Sequence, residues 1–298
     1  MTSALFDTLS ESLINELVTA VGMKPTRFNH QLFWRLFRKI TDSFAEIGAT
    51  HDQITASQGF PAACEWALSV FCRDVQVQGA ENIPDGGPLL VLSNHPGAYD
   101  ALLTFSNMKG HNILSVSTPI PFIELLPHTG RHFLYAPRDN ARERMIVFRK
   151  AIRHLKKGGT LNYFGSGHRD PDPYVYSGAI NAIDQWLNVY DFFFKQVKGL
   201  KILPAIISGV ISPKWAKNPI TWLRKKQIDQ QRLAEFGQVI SQLLKPGKLM
   251  LNPRISFGKS FSEQDLRQVV GQGRLNPQVI KRAKALFRKS SQHFGDFL

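Results

Sequence analysis

His95 and Asp100 stand five positions apart in Ser93-Asn-His-Pro-Gly-Ala-Tyr-Asp100, directly after the apolar run Leu89-Leu-Val-Leu92. The order is that of a strand, a Pro-Gly turn and a helix start, with enough intervening chain to bring the carboxylate back to the imidazole. An aspartate that accepts a hydrogen bond from one ring nitrogen sets the tautomer and makes the other nitrogen more basic. The result is a positioned general base with no protein nucleophile beside it, since neither cysteine is near and Ser93 lies on the wrong side of the histidine. Such a base fits direct transfer to a bound hydroxyl better than a covalent intermediate. Spacing alone is a weak signal: with nine histidines, a chance Asp at this distance is expected in roughly four chains of ten. Here only His95 has one, and it follows a buried strand and a turn as the mechanism requires. A histidine held in a capping interaction without chemistry is the other reading.

The elements around this pair follow from periodicity. Leu89–Leu92 is a continuous apolar run, as a strand buried on both faces shows. Val75–Val77 alternates like a strand, 84–88 reads as a turn, and a helix is expected from Tyr99 to Met108. Further strand-like runs fall at Ile113–Val116, Phe133–Tyr135, Thr160–Phe164, Ile202–Ile207 and Arg254–Phe257. Helical stretches are expected at 141–156, 179–197 and about 230–244. Strands alternating with helices predict an α/β domain, a mixed central sheet flanked by helices, over 75–298. In such sheets chemistry collects where strands end and helices begin.

Residues 1–74 read as a helical N-terminal segment. Ile14, Leu17, Val18 and Val21 recur at helical spacing, as do Phe33, Phe37, Ile40, Phe44 and Ile47 after Asn29, a candidate N-cap; Pro61–Phe71 is a third helix. This segment either packs on the catalytic core or touches membrane or a carrier protein.

The chain has 298 residues and a formal net charge of +14, which points to a polyanionic partner (nucleic acid, an anionic membrane surface or a phosphorylated substrate) or else to a basic surface that serves solubility alone. Cys64 and Cys72 are eight apart in a helical stretch, too far to bridge, and no Cys/His spacing suggests zinc. Two buried thiols fit a reducing cytoplasm. No signal peptide and no transmembrane helix are expected, so membrane contact would be peripheral.

The run Val77-Gln-Gly-Ala-Glu-Asn-Ile-Pro, followed by Gly87-Pro-Leu-Leu-Val-Leu-Ser-Asn-His-Pro-Gly-Ala-Tyr-Asp, resembles the glycerol-3-phosphate and lysophosphatidate acyltransferase superfamily, whose signature is a His and an Asp separated by four residues. Phe133-Leu-Tyr-Ala-Pro-Arg138 is similar to its second block, Leu161–Arg169 stands where the third belongs, and Ile202-Leu-Pro-Ala-Ile-Ile, with Pro204, resembles the fourth. The resemblance implies that His95 deprotonates an acceptor hydroxyl, which attacks the thioester of acyl-CoA or acyl carrier protein, while Asp100 orients His95. It implies no metal or other cofactor. It implies that Arg138 and Arg169 hold the phosphate of a glycerol-phosphate or lysophospholipid acceptor; as plain residues either could be a surface charge or ion pair. The third block departs from the family's Phe-Pro-Glu-Gly-Thr-Arg. It reads Phe164-Gly-Ser-Gly-His-Arg169, with Gly165 for proline and Ser166 for the acid. Ser166 and Gly167 are expected to line an acceptor pocket altered by that exchange, and His168 and Asp170-Pro-Asp-Pro173 are either part of it or a plain stiff loop.

Two further segments bear on substrate access. Pro213–Lys226 mixes two tryptophans with five cations, which suits an anionic membrane interface or an exposed basic loop with its tryptophans packed inward. Asp191-Phe-Phe-Phe-Lys195 is either an acyl-tunnel wall or core. A nucleic-acid-binding protein would need a clustered basic helix or aromatic-basic patches, and none is evident outside 214–226. The expected protein is therefore a cytoplasmic, membrane-peripheral acyltransferase, with a non-catalytic lipid-binding relative as the alternative.

Overall fold

The computed structural model describes residues 3–20, 23–24, 26–137, 139–295 and 297–298, with backbone alone at 3–5, 16 and 20. The chain begins with three helices, α1 (Ser3–Ala20), α2 (Arg27–Gln58) and α3 (Phe60–Phe71). It then alternates through β1 (Gln76–Gln78), β2 (Leu89–Ser93), α4 (Tyr99–Ser106), β3 (Ile113–Ser117), α5 (Pro121–Glu124), β4 (Phe133–Tyr135) and α6 (Ala141–Lys156). β5 (Thr160–Phe164), α7 (Ala179–Ala182), α8 (Tyr190–Gln196), β6 (Lys201–Ser208), α9 (Pro213–Ala216) and α10 (Gln227–Leu244) follow. The last elements are β7 (Arg254–Phe257), β8 (Phe261–Ser262), α11 (Glu263–Val270) and α12 (Asn276–Phe294).

The sheet runs β1-β7-β6-β2-β5-β3-β4, with β8 also paired to β6. β6, β2, β5, β3 and β4 are mutually parallel, and β7 and β8 run antiparallel to β6. The sheet is thus mixed, flanked by helices and preceded by a helical segment.

β2 lies between β5 and β6 and is buried along its whole length. Leu90 and Leu92 enter one core with Leu161, Ile152, Phe193 and Phe287; Leu89 and Val91 enter the other with Leu68, Leu103, Ala234 and Ile207. Alternate side chains of a strand point to opposite faces, so a strand covered on both sides must be apolar throughout. Pro204 fits an interior strand because β6 changes partner there, from β8 at Ile202 to β7 at Ala205. Its carbonyl accepts from Gly258 N at 2.9 Å, so the N–H that proline lacks would face the same gap.

From β2 the chain crosses over β5 to β3, and from β5 it crosses back over β2 to β6. The two connections leave in opposite directions, the arrangement at which α/β sheets generally place their ligand crevices. Ser93 is in register with Phe164, so the loops after β2 and β5 emerge side by side.

Two expectations need correction. α2 starts at Arg27, and its N-cap is Thr26, whose Oγ1 accepts from Asn29 N at 3.3 Å. Asn29 lies inside the first turn and donates to Lys24 O instead. The 179–197 stretch is not one helix: it breaks after Gln185, Trp186 is extended, and α8 starts at Tyr190, whose N–H is accepted by Asn276 Oδ1 at 2.9 Å. α11 and α12 had no counterpart in the periodicity reading. Both cysteines are free and buried.

Candidate active site

β2 ends against β6 through Asn94, whose side chain donates to Ile207 O and accepts from Ile207 N, each at 2.8 Å. His95 follows this anchor, and Pro96 and Gly97 turn the chain into α4, whose first turn carries Asp100. His95 Nδ1 lies 2.6 Å from Asp100 Oδ2, which also accepts from Gly97 N at 3.1 Å. The Asp100 side chain is 1% exposed and that of His95 28%. Phe164 stacks on the imidazole at 4.2 Å between centroids. With its proton on Nδ1 facing Asp100, His95 has Nε2 as its basic nitrogen. A half-buried imidazole oriented in this way can take a proton from a bound hydroxyl.

The loop after β5 grips the loop after β2. Gly165 N donates to Ser93 O at 2.9 Å, Asp170 N donates to His95 O at 2.8 Å, and Asp170 Oδ2 accepts from His95 N at 2.9 Å. Burial raises the Asp170 pKa, while its bond to the His95 amide opposes that shift. A Cβ at Gly165 would lie 2.2 Å from Trp186 Cδ2, so this position accepts only glycine while that indole is packed there. Leu187 N donates to Gly165 O at 2.8 Å, fixing the chain where the expected helix breaks.

Ser166 is buried, and its hydroxyl donates to His168 O at 2.6 Å inside the turn. Gly167 is exposed at φ +69°, a left-handed conformation that suits glycine. His168 is exposed, with Nδ1 3.1 Å from Arg169 O. Arg169 is 21% exposed and paired with Glu235 of α10. Burial works against its charge, but Glu235 and Asp100 outweigh burial and raise its pKa. Asp172 is fully buried; it accepts from Tyr174 N, Gly209 N and Ile211 N, each at 2.9 Å, and so clasps the loop after β6. Burial pushes its carboxyl up to about 6. The 170–173 run is therefore bracing. Arg138 lies outside the described residues.

One polar stripe was missed in the sequence. Gln231, Glu235, Gln238 and Gln242 lie on the buried face of α10. Gln231 donates to Pro96 O and Asp170 O; Glu235 accepts from Ala98 N and Arg169; Gln238 accepts from Ser212 N and donates to Val210 O; Gln242 accepts from Tyr99 Oη. Their spacing of four, three and four is that of a helix face, but a search for apolar stripes passes over it.

The aromatic run is core only in part: Phe193 and Phe194 are buried, Phe192 is 47% exposed, and Asp191 accepts from Leu275 N and Asn276 N at the start of α12. The tryptophans divide. Trp215 packs against Gly237, where a Cβ would lie 2.2 Å from its ring, and Trp222 is 73% exposed. Among the described residues no group of three or more His, Cys, Asp or Glu is placed to hold a metal ion. Nor is any described helix long and apolar enough to cross a membrane.

Residues 74–208 match the family model Acyltransferase. The crystal structure of the 1-acyl-sn-glycerophosphate (LPA) acyltransferase PlsC from Thermotoga maritima is similar at 15% identity and a TM-score of 0.45, over 96% of this chain and 97% of that one. No curated protein matches the chain.

Proposed function

We propose that this chain, an acyltransferase by the domain at residues 74–208, transfers a fatty acyl group from a thioester donor to a hydroxyl of a glycerol-phosphate or lysophospholipid-type acceptor. The observation that carries the chemistry is the 2.6 Å bond from His95 Nδ1 to buried Asp100, on an imidazole that remains partly exposed. The acceptor oxygen attacks the thioester carbonyl as Nε2 takes its proton. The tetrahedral intermediate then expels the thiolate, which takes that proton back from the imidazolium. Asp100 steadies the imidazolium between these steps. No residue of the protein is acylated.

The donor is acyl-CoA or acyl carrier protein, since both are anionic and the chain carries +14. Arg138, by its place in the second block of the sequence, and Arg169 bind the acceptor's phosphate in this reading. Ser166 and Gly167 shape the turn that borders the acceptor. The acid of the family pattern is absent there, so the acceptor's free hydroxyl meets a neutral turn.

Access is from a membrane surface in this reading. Ile220, Trp222 and Leu223 are exposed, the last at 78%, among exposed Lys214, Lys217, Lys225 and Lys226. An aromatic and aliphatic tip rimmed by lysines suits an anionic bilayer interface.

The test offers purified protein palmitoyl-CoA or palmitoyl acyl carrier protein with glycerol 3-phosphate, lysophosphatidate and other lysolipids, and reads products by mass spectrometry. Product from the native chain and none from His95→Ala is expected. Failure of every donor–acceptor pair, or equal product from His95→Ala, overturns the proposal.

A further inference from the structure

We propose that Glu235, on α10 and outside the matched residues 74–208, is a positioning residue for the His95–Asp100 pair. The inference rests on the reading of His95 as the base. Glu235 reaches the loop between His95 and α4 from a residue 137 positions away and accepts from Ala98 N with Oε1. Its other oxygen, Oε2, accepts from Arg169 Nη1. One carboxylate, 8% exposed, therefore holds both the loop that carries the base and the Arg169 guanidinium.

Gly97 makes the approach possible, because a Cβ there would lie 2.8 Å from Glu235 Oε1. The same face of α10 supplies Gln231 to Pro96 O and Asp170 O, so the loop after β2 is held along its length by one helix. The 164–169 turn brings no acid of its own to this place, since Ser166 is spent on His168 O.

The electrostatics give Glu235 its second task. Arg169 is drawn by two carboxylates, Glu235 and Asp100. Asp100 is needed by His95, which it meets at 2.6 Å. A largely buried guanidinium without Glu235 would be an unpaired charge beside the carboxylate that orients the base, and such charges find a partner. Arg169 would then compete with His95 for Asp100. Glu235 thus keeps Arg169 off Asp100 while fixing the Ala98 amide that starts the helix bearing Asp100.

The experiment compares native protein, Glu235→Gln, Arg169→Gln and the double variant. It reads the side-chain 1H–15N spectrum of labelled histidines, assigned with His95→Ala, alongside transfer kinetics. Glutamine keeps an acceptor for Ala98 N but loses the charge. Glu235→Gln is expected to lose the downfield Nδ1–H signal of His95 and to lower kcat by about 10- to 100-fold, with KM changing by less than about threefold. Removing the freed guanidinium in the double variant is expected to restore the His95 signal, while its kinetics also carry the loss of Arg169 from the acceptor's phosphate. A Glu235→Gln protein with the native His95 signal overturns the proposal. So does loss of the signal that the double variant fails to restore, since that marks a merely structural acid. If the native chain and the variants show the expected His95 signals but no pair of substrates reacts, the positioning network stands and the proposed reaction falls.

Discussion

A histidine at a strand end becomes a base when something fixes its proton, and three aspartates in this site show how differently one residue type can serve. Asp100 accepts from His95 Nδ1 and Gly97 N, Asp170 accepts from the His95 amide, and Asp172 accepts from three amides and meets no imidazole. Only Asp100 touches the ring. Asp100→Asn keeps the shape and removes the charge that steadies the imidazolium; steady-state kinetics should show kcat down by at least about 100-fold with folding intact. A variant within twofold of native activity would remove Asp100 from the mechanism. Ser166 shows the converse, because a hydroxyl expected at a pocket wall is closed into its own turn.

At the scale of elements, the site exists because two neighbouring strands end level. The Ser93–Phe164 register sets the two loops together, and α10 closes over both with a polar face. The N-terminal helices are joined to this body by a small polar knot. Asp52 of α2 accepts from His128 N and Thr129 N at 2.9 and 2.7 Å, and His51 Nδ1 lies 3.0 Å from Thr129 Oγ1. Burial pushes His51 from 6.5 down to about 4, against the pull of Asp52. Above pH 6.5 both folded and unfolded chains hold it neutral and its contribution is complete. As pH falls from 6.5 towards 4, the unfolded chain takes up a proton that the folded one refuses, and about 2 kcal/mol is lost by pH 5. Asp172, raised to about 6, acts in the opposite sense and gains stability as pH falls from 6 towards 4. Denaturant titrations at about pH 7.5 and pH 5 separate the two: His51→Gln should lose about 2 kcal/mol less than the native chain between them. Equal losses would show that His51 titrates normally.

The whole molecule combines a formal charge of +14 with several exposed apolar side chains. Ile220, Trp222 and Leu223 form one group, in the connection that leads into α10, and Phe28, Leu32 and Leu36 form another along α2. The first leads into α10, the helix whose Gln231 holds Pro96 O. Replacing both Trp222 and Leu223 by Ser should weaken binding to vesicles containing phosphatidylglycerol by about tenfold or more, measured by sedimentation. Transfer to a water-soluble acceptor should change little. Unchanged vesicle binding would move the lipid contact elsewhere, with the α2 stripe next to be tested.

The amino-acid sequence by itself determined what depends on near neighbours. A doubly buried strand shows as the run Leu89–Leu92, and the His95–Asp100 bond closes within one turn, so the spacing read together with that strand and the Pro-Gly turn predicts it. The basic, tryptophan-bearing segment at 213–226 was legible for the same reason, although only packing could send Trp215 inward against Gly237 and leave Trp222 outside. What tertiary structure decided were contacts between distant residues. The strand order, the register of Ser93 with Phe164 and the break at Trp186 all depend on partners that lie far along the chain. Glu235 is the clearest case: an acid in an amphipathic helix carries no local mark of function. It becomes part of the site because folding buries its carboxylate, and a buried carboxylate must find donors, here the Ala98 amide and Arg169.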